Sequence, residues 1–148
     1  MENRVPSPAS DAAMVDLIVE VTRAFFRLRT SGREIGAVDP GGAGRWGFLR
    51  SLALDGPQTV PQLARTRPVA RQYVQTMANA LAAEGLIEFV DNPAHRRSRL
   101  MRLTKKGEKI YGGIDARVCE AARAFGRGLA PDEVETACRV LRRIRAEG

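Results

Sequence analysis

Histidine and tryptophan occur once each in the 148-residue chain, and cysteine and tyrosine only twice. The lone histidine, His95, excludes a multi-histidine metal site and any Cys-His-Asp cluster built within one chain. Two thiols, Cys119 and Cys138, are too few for a disulfide scaffold. No apolar run approaches the roughly 20 residues of a membrane helix. The longest candidate, Met14 to Val21, is interrupted by Asp16 and Glu20. The opening residues MENRVPSPAS hold no apolar stretch of the signal-peptide kind. No nucleophile–base pair, phosphate loop or paired-acid motif is present, which argues against an enzyme. These absences predict a cytoplasmic, non-membrane protein with no cofactor and no metal.

What is present is ordinary for one globular domain: 44% hydrophobic and 28% charged residues. The charge is less ordinary. Lysine and arginine number 24 against 17 acidic residues, a net +7. Residues 1–41 carry 5 cations and 6 anions, residues 42–104 carry 9 and 4, and residues 105–148 carry 10 and 7. The excess is thus concentrated in the middle third, as expected of a polyanion binder, although a basic face alone is often only a solvated one.

Residues 1–10 read as a loose arm. Met14, Leu17, Ile18, Val21, Phe25 and Leu28 recur at helical spacing, with Ser10 or Asp11 as N-cap. Val15, Val19 and Phe26 add a second apolar face, so this helix, about 11–31, is predicted to be covered on two sides, one of them by another subunit. Gly32 to Gly44, with Pro40, reads as a loop. Arg45 to Leu54 is a short helix with Trp46, Leu49 and Ala53 on one stripe, stopped by Asp55-Gly56-Pro57. Thr59 and Gln62 have the spacing of a capping box, with Pro61 in the first turn. This helix ends near Arg65 or Thr66. After the break Thr66-Arg67-Pro68, a second helix runs from about Val69 to Glu84. Taken at about 100° per residue, its Arg71, Gln75, Asn79 and Gln72 share one face, opposite Met77, Leu81, Val74 and Ala78.

Leu86–Val90 and Arg99–Leu103 read as two strands of a hairpin whose tip carries Arg96 and Arg97. Thr104 caps a further helix, in which Gly112-Gly113 predicts weakness or a bend. Pro131 opens the last helix, its apolar stripe including Cys138, whose thiol is expected to be buried. Trp46 is expected to pack beneath the second helix of the central pair.

Short helix, tight turn, polar-faced helix and basic hairpin, in that order, make a winged helix-turn-helix. A helix fits the major groove of B-DNA, where Arg pairs with guanine and Gln with adenine. The N-terminal end of the second helix is the part normally inserted. The arginines of the hairpin suit the backbone or a narrow minor groove.

The stretches Leu63–Gln75, Leu81–Ile87 and, most specifically, Asp91–Gly107 resemble the MarR family (multiple antibiotic resistance regulators). The last of them follows that family's wing signature, D-x-P-x-D-R-R-x-x-L-x-x-L-T-x-x-G. Two departures stand out: Ala70 where the family usually caps its recognition helix with Ser or Thr, and His95 where the wing usually has Asp. The first omits a cap worth ~1 kcal/mol, and the second leaves the wing more basic.

The resemblance implies a homodimer of intertwined terminal helices and a palindromic operator near the regulator's own promoter. It also implies a small aromatic or lipophilic effector bound between dimer and DNA-binding regions. Some relatives sense oxidants through a cysteine, often in the first helix, where this chain has none.

The expected fold is therefore mainly α with a small β-hairpin wing. Residues 1–10 are the arm, 11–44 the first dimerisation segment, 45–104 the winged helix-turn-helix, and 105–148 the closing dimerisation helices. The candidate DNA contacts are Thr59, Arg67, Arg71, Gln72, Gln75, Arg96, Arg97 and Arg99. The expected function is a sequence-specific, dimeric, ligand-responsive repressor on double-stranded DNA. Two other readings stand beside it: a thiol-based redox switch through Cys119 or Cys138, and a winged-helix module that binds a ligand or protein without DNA.

Overall fold

The computed structural model describes residues 9–38, 44–67 and 69–146. Most of the expected arm, Pro40 with its neighbours in the first loop, and Pro68 of the tight break lie outside the described residues. Among the described residues six helices and one hairpin follow in order: α1 (Asp11–Glu34), α2 (Arg45–Asp55), α3 (Val60–Thr66), α4 (Arg71–Ala83), β1 (Ile87–Val90), β2 (Leu100–Leu103), α5 (Lys105–Phe125) and α6 (Pro131–Ala146). Among the described residues no helix is long and apolar enough to cross a membrane.

The core belongs to the middle of the chain. Phe48, Leu49 and Leu52 of α2 pack with Leu63 of α3, with Val74, Met77, Ala78 and Leu81 of α4, and with Leu86, Ile87 and Met101 of the hairpin. α2 therefore buries Phe48, Leu49 and Leu52 rather than the expected Trp46, Leu49 and Ala53 stripe. Apolar residues surround this helix, so spacing alone could not choose its inner face. Trp46 turns toward α5 instead of lying beneath α4: its Nε1 donates to Asp115 at 2.9 Å. Partial burial and then the Asp115 carboxylate hold the Tyr111 phenol above the usual tyrosine range.

β1 and β2 pair antiparallel, with Ile87 opposite Leu103 and Val90 opposite Leu100. Gln58 extends this ladder by one bridge to Met101, tying the start of α3 to the wing. The capping box forms as read: Thr59 Oγ1 accepts from the Gln62 N–H, and Gln62 Oε1 accepts from the Thr59 N–H. Ser10 caps α1 by accepting from the Ala13 N–H, and Thr104 caps α5. Ala70 stands at the N-cap of α4 in an extended conformation with no side-chain bond.

α1 runs three residues past the expected end, through Gly32 to Glu34. Gly32 is buried there, because the N–H groups of Ala37 and Val38 both return to its carbonyl and a Cβ would lie 2.9 Å from Val38 Cγ2. α5 continues unbroken through Gly112 and Gly113.

The terminal helices are left uncovered. In α1, Val15, Ile18, Phe25, Phe26 and Leu28 are each more than half exposed, and α6 buries none of its residues. Cys138 is exposed together with the rest of the α6 stripe, and Cys119 is exposed on α5. The expected burial of Cys138 does not occur within the single chain, because among the described residues no element covers that stripe.

Candidate nucleic-acid interface

α4 is amphipathic: Val74, Met77, Ala78 and Leu81 hold it to the core. The opposite side chains, Arg71, Gln72, Gln75 and Asn79, line a cleft of about 610 Å³ together with Arg97, Ser98 and Arg99 of the wing. Val60 and Pro61 close it from the α3 side and Phe89 from β1. Helix and wing thus present one continuous basic and amide-bearing surface.

The individual groups differ in freedom. Arg71, Arg96 and Arg97 are exposed and have no hydrogen bond or ion pair among the described residues. Gln75 is oriented by Asn79, since its Nε2 donates to Asn79 Oδ1 at 2.9 Å, which leaves Gln75 Oε1 and one N–H outward. Asn79 was legible as part of the polar face but absent from the expected contacts. Arg99 lies back on β1, donating to the Phe89 carbonyl and stacking 5.9 Å from the Phe89 ring centroid.

The wing tip is held by Asn92. Its Nδ2 donates to the Ser98 carbonyl at 2.9 Å, and its Oδ1 accepts from the Ala94 N–H. Arg102 pairs with Glu88 across the strands at 2.8 Å. That pair is solvent-exposed and contributes little stability.

Three expected contacts do not line this cleft, one of them Arg96, which is exposed in the turn at the wing tip. Thr59 is buried, and its hydroxyl is occupied by the capping box. Arg67 is half-buried on another side, against Gly47, where a Cβ would lie 2.5 Å from its Nη2. It enters a second cleft of about 580 Å³ with Phe25, Leu28 and Arg29 of α1 and with Val69, Ala70 and Tyr73 at the start of α4. No carboxylate lines this cleft among the described residues. Burial pulls the Arg67 guanidinium below the ordinary arginine range, partly offset by Tyr73. No sequence signal distinguished this arginine from its neighbours.

Residues 41–98 match the MarR family. An uncharacterised protein of Mycobacterium tuberculosis is 34% identical over 128 residues, covering 86% of this chain and 89% of that protein. Two solved structures share the fold. A MarR variant from E. coli complexed with operator DNA superposes with a TM-score of 0.77 at 20% identity, over 93% of this chain and 99% of that one. Bordetella bronchiseptica BpsR, whose DNA binding is regulated by 6-hydroxynicotinic acid, gives 0.74 at 20% identity, over 94% and 98%.

Proposed function

The chain belongs to the MarR family of winged-helix transcriptional regulators, and we propose that it binds a palindromic operator as a homodimer and is released by a small acidic effector. The observation that carries this reading is the cleft where the free Arg71 and the oriented Gln75 of α4 stand beside Arg97 of the wing. α4 has the width of a major-groove reader, and the wing arginines reach the flanking backbone or minor groove. Residues 45–104 are the reading unit. Helices α1, α5 and α6 supply the dimer surface.

Dimerisation is supported by the uncovered apolar side chains of α1 and α6. Exposed apolar patches on this scale mark an interface. Sedimentation of the chain with a duplex from upstream of its own gene should show two chains per duplex. A monomer bound alone would overturn the reading.

For the effector, the second cleft offers the Arg67 guanidinium beside Phe25, Leu28, Val69 and Tyr73. A desolvated cation with no counter-ion among the described residues favours a ligand carboxylate, and the aromatic and aliphatic walls favour an apolar body. Ala70 and Tyr73, which also line the cleft, flank Arg71 at the start of α4, so filling the cleft shifts Arg71. Benzoate-class acids should therefore weaken operator binding in the wild-type protein. Benzamide, which is neutral, should not, and Arg67→Met should abolish the response. An undiminished response in Arg67→Met would refute this assignment.

A further inference from the structure

A third cleft, of about 450 Å³, lies where the end of α1 meets α2 and α5. Its charged groups are Arg33, Arg45, Lys109 and Arg117, and no carboxylate lines it among the described residues. Arg45 donates through Nη2 to both carboxylate oxygens of Glu84, at 2.7 and 2.8 Å. Arg33 and Lys109 form no ion pair among the described residues.

Arg117 is aimed. Its Nε donates to the Ile35 carbonyl at 2.8 Å, leaving both terminal nitrogens beside Gly36 and Gly113. Lys109, Gly113 and Arg117 recur every four residues and so share one face of α5. The glycine between the two cations opens a notch: a Cβ there would meet only Arg117 Nη1, at 4.0 Å.

We propose that this cleft is a site for a small free polyanion carrying a di- or triphosphate group. Beyond Arg45, three cations against no lining carboxylate among the described residues call for several negative charges on the ligand. The fixed guanidinium presents the paired donors that phosphate oxygens accept, and Lys109 adds a point charge. Among the described residues no aromatic ring lines the cleft, so recognition is of charge rather than of a stacked ring.

The site is separate from the DNA-reading face. Arg45 is held by Glu84, at the far end of the 13-residue α4 from Arg71. At ~1.5 Å per residue that separation is roughly 18 Å.

The test is calorimetric titration of the full chain with pyrophosphate, with sulfate at equal ionic strength as control. One saturable site per chain is expected, together with a rise in melting temperature of about 5 °C at a hundredfold excess over Kd. Arg117→Gln should weaken binding at least tenfold. So should Gly113→Leu, which fills the notch while replacing glycine by a better helix former. ATP titrated in parallel identifies the source: tighter binding than pyrophosphate assigns a nucleotide, equal binding a bare polyphosphate.

Three outcomes overturn the proposal. Equal heats with sulfate would reduce the cluster to diffuse screening. Binding retained in Arg117→Gln but lost in an Arg96→Ala, Arg97→Ala double variant would move the anion to the wing. No saturable binding, with a loosened dimer in either α5 variant, would make the cluster an intersubunit ion-pair site.

Discussion

Raising salt from 50 to 200 mM should weaken the complex with duplex DNA by about a thousandfold to ten-thousandfold. A dimer brings two copies each of Arg71, Arg96, Arg97 and Arg99, enough for about eight phosphates and a slope of log K against log salt near −7. Arg71, Arg96 and Arg97 are free to make such contacts, whereas Arg99 must first leave the Phe89 carbonyl. If Arg99 stays, six phosphates remain and the slope is about −5. Fluorescence titrations at four or five salt concentrations measure it. A slope shallower than about −3 would mean that the arginine-bearing surface does not meet the phosphate backbone.

Gly107→Ala should destabilise the fold by at least ~3 kcal/mol, at the upper end of overpacking effects. Gly107 is buried in the first turn of α5, and a Cβ there would lie 1.8 Å from the Leu86 carbonyl oxygen. That carbonyl cannot withdraw easily. It accepts from the Thr104 N–H at 3.1 Å, and Thr104 in turn donates through Oγ1 to the Gly85 carbonyl while capping the Gly107 N–H. The end of α4, the start of β1 and the start of α5 thus meet at one joint with no room for a methyl group. Gly112→Ala is the control. It has nothing within 4 Å of its Cβ position, and it should gain up to about 1 kcal/mol of helix propensity. Urea unfolding of the two variants gives the comparison, and a Gly107→Ala protein within 1 kcal/mol of wild type would contradict the close approach.

The structure also separates what the chain announces locally from what only its packing decides. The Thr59–Gln62 capping box, the Ser10 and Thr104 caps and the hairpin depend on groups a few residues apart; the caps form where spacing predicted them, and each strand of the hairpin begins one residue later than expected. The polar face of α4 was legible for the same reason. The clash at Gly107 involves Leu86, 21 positions earlier, and no local pattern marks it. Arg67 lies against Gly47 and lines the cleft shared with α1, neighbours that spacing does not mark, so the sequence grouped it with Arg71. Thr59 was read both as a cap and as a contact, and burial leaves only the cap. The inner face of α2 was ambiguous because apolar residues surround it, and its choice of Phe48, Leu49 and Leu52 follows from α3, α4 and the hairpin. Cys138 shows the limit in the other direction. An apolar stripe predicts a cover but does not say which chain supplies it, and among the described residues of this one none does.

The central claim is that the α4 face reads base edges while the wing chiefly holds the backbone. The most direct measurement is a pair of titrations, one on the operator and one on scrambled DNA, for wild type, Arg71→Ala and Arg97→Ala. Arg71→Ala should cost ~1–3 kcal/mol on the operator and narrow the gap to scrambled DNA. Arg97→Ala should weaken both DNAs nearly alike, unless an A·T-rich minor groove lies beneath the wing. Arg71→Ala weakening both DNAs equally, with Arg97→Ala weakening only a G·C-flanked operator, would contradict the assignment.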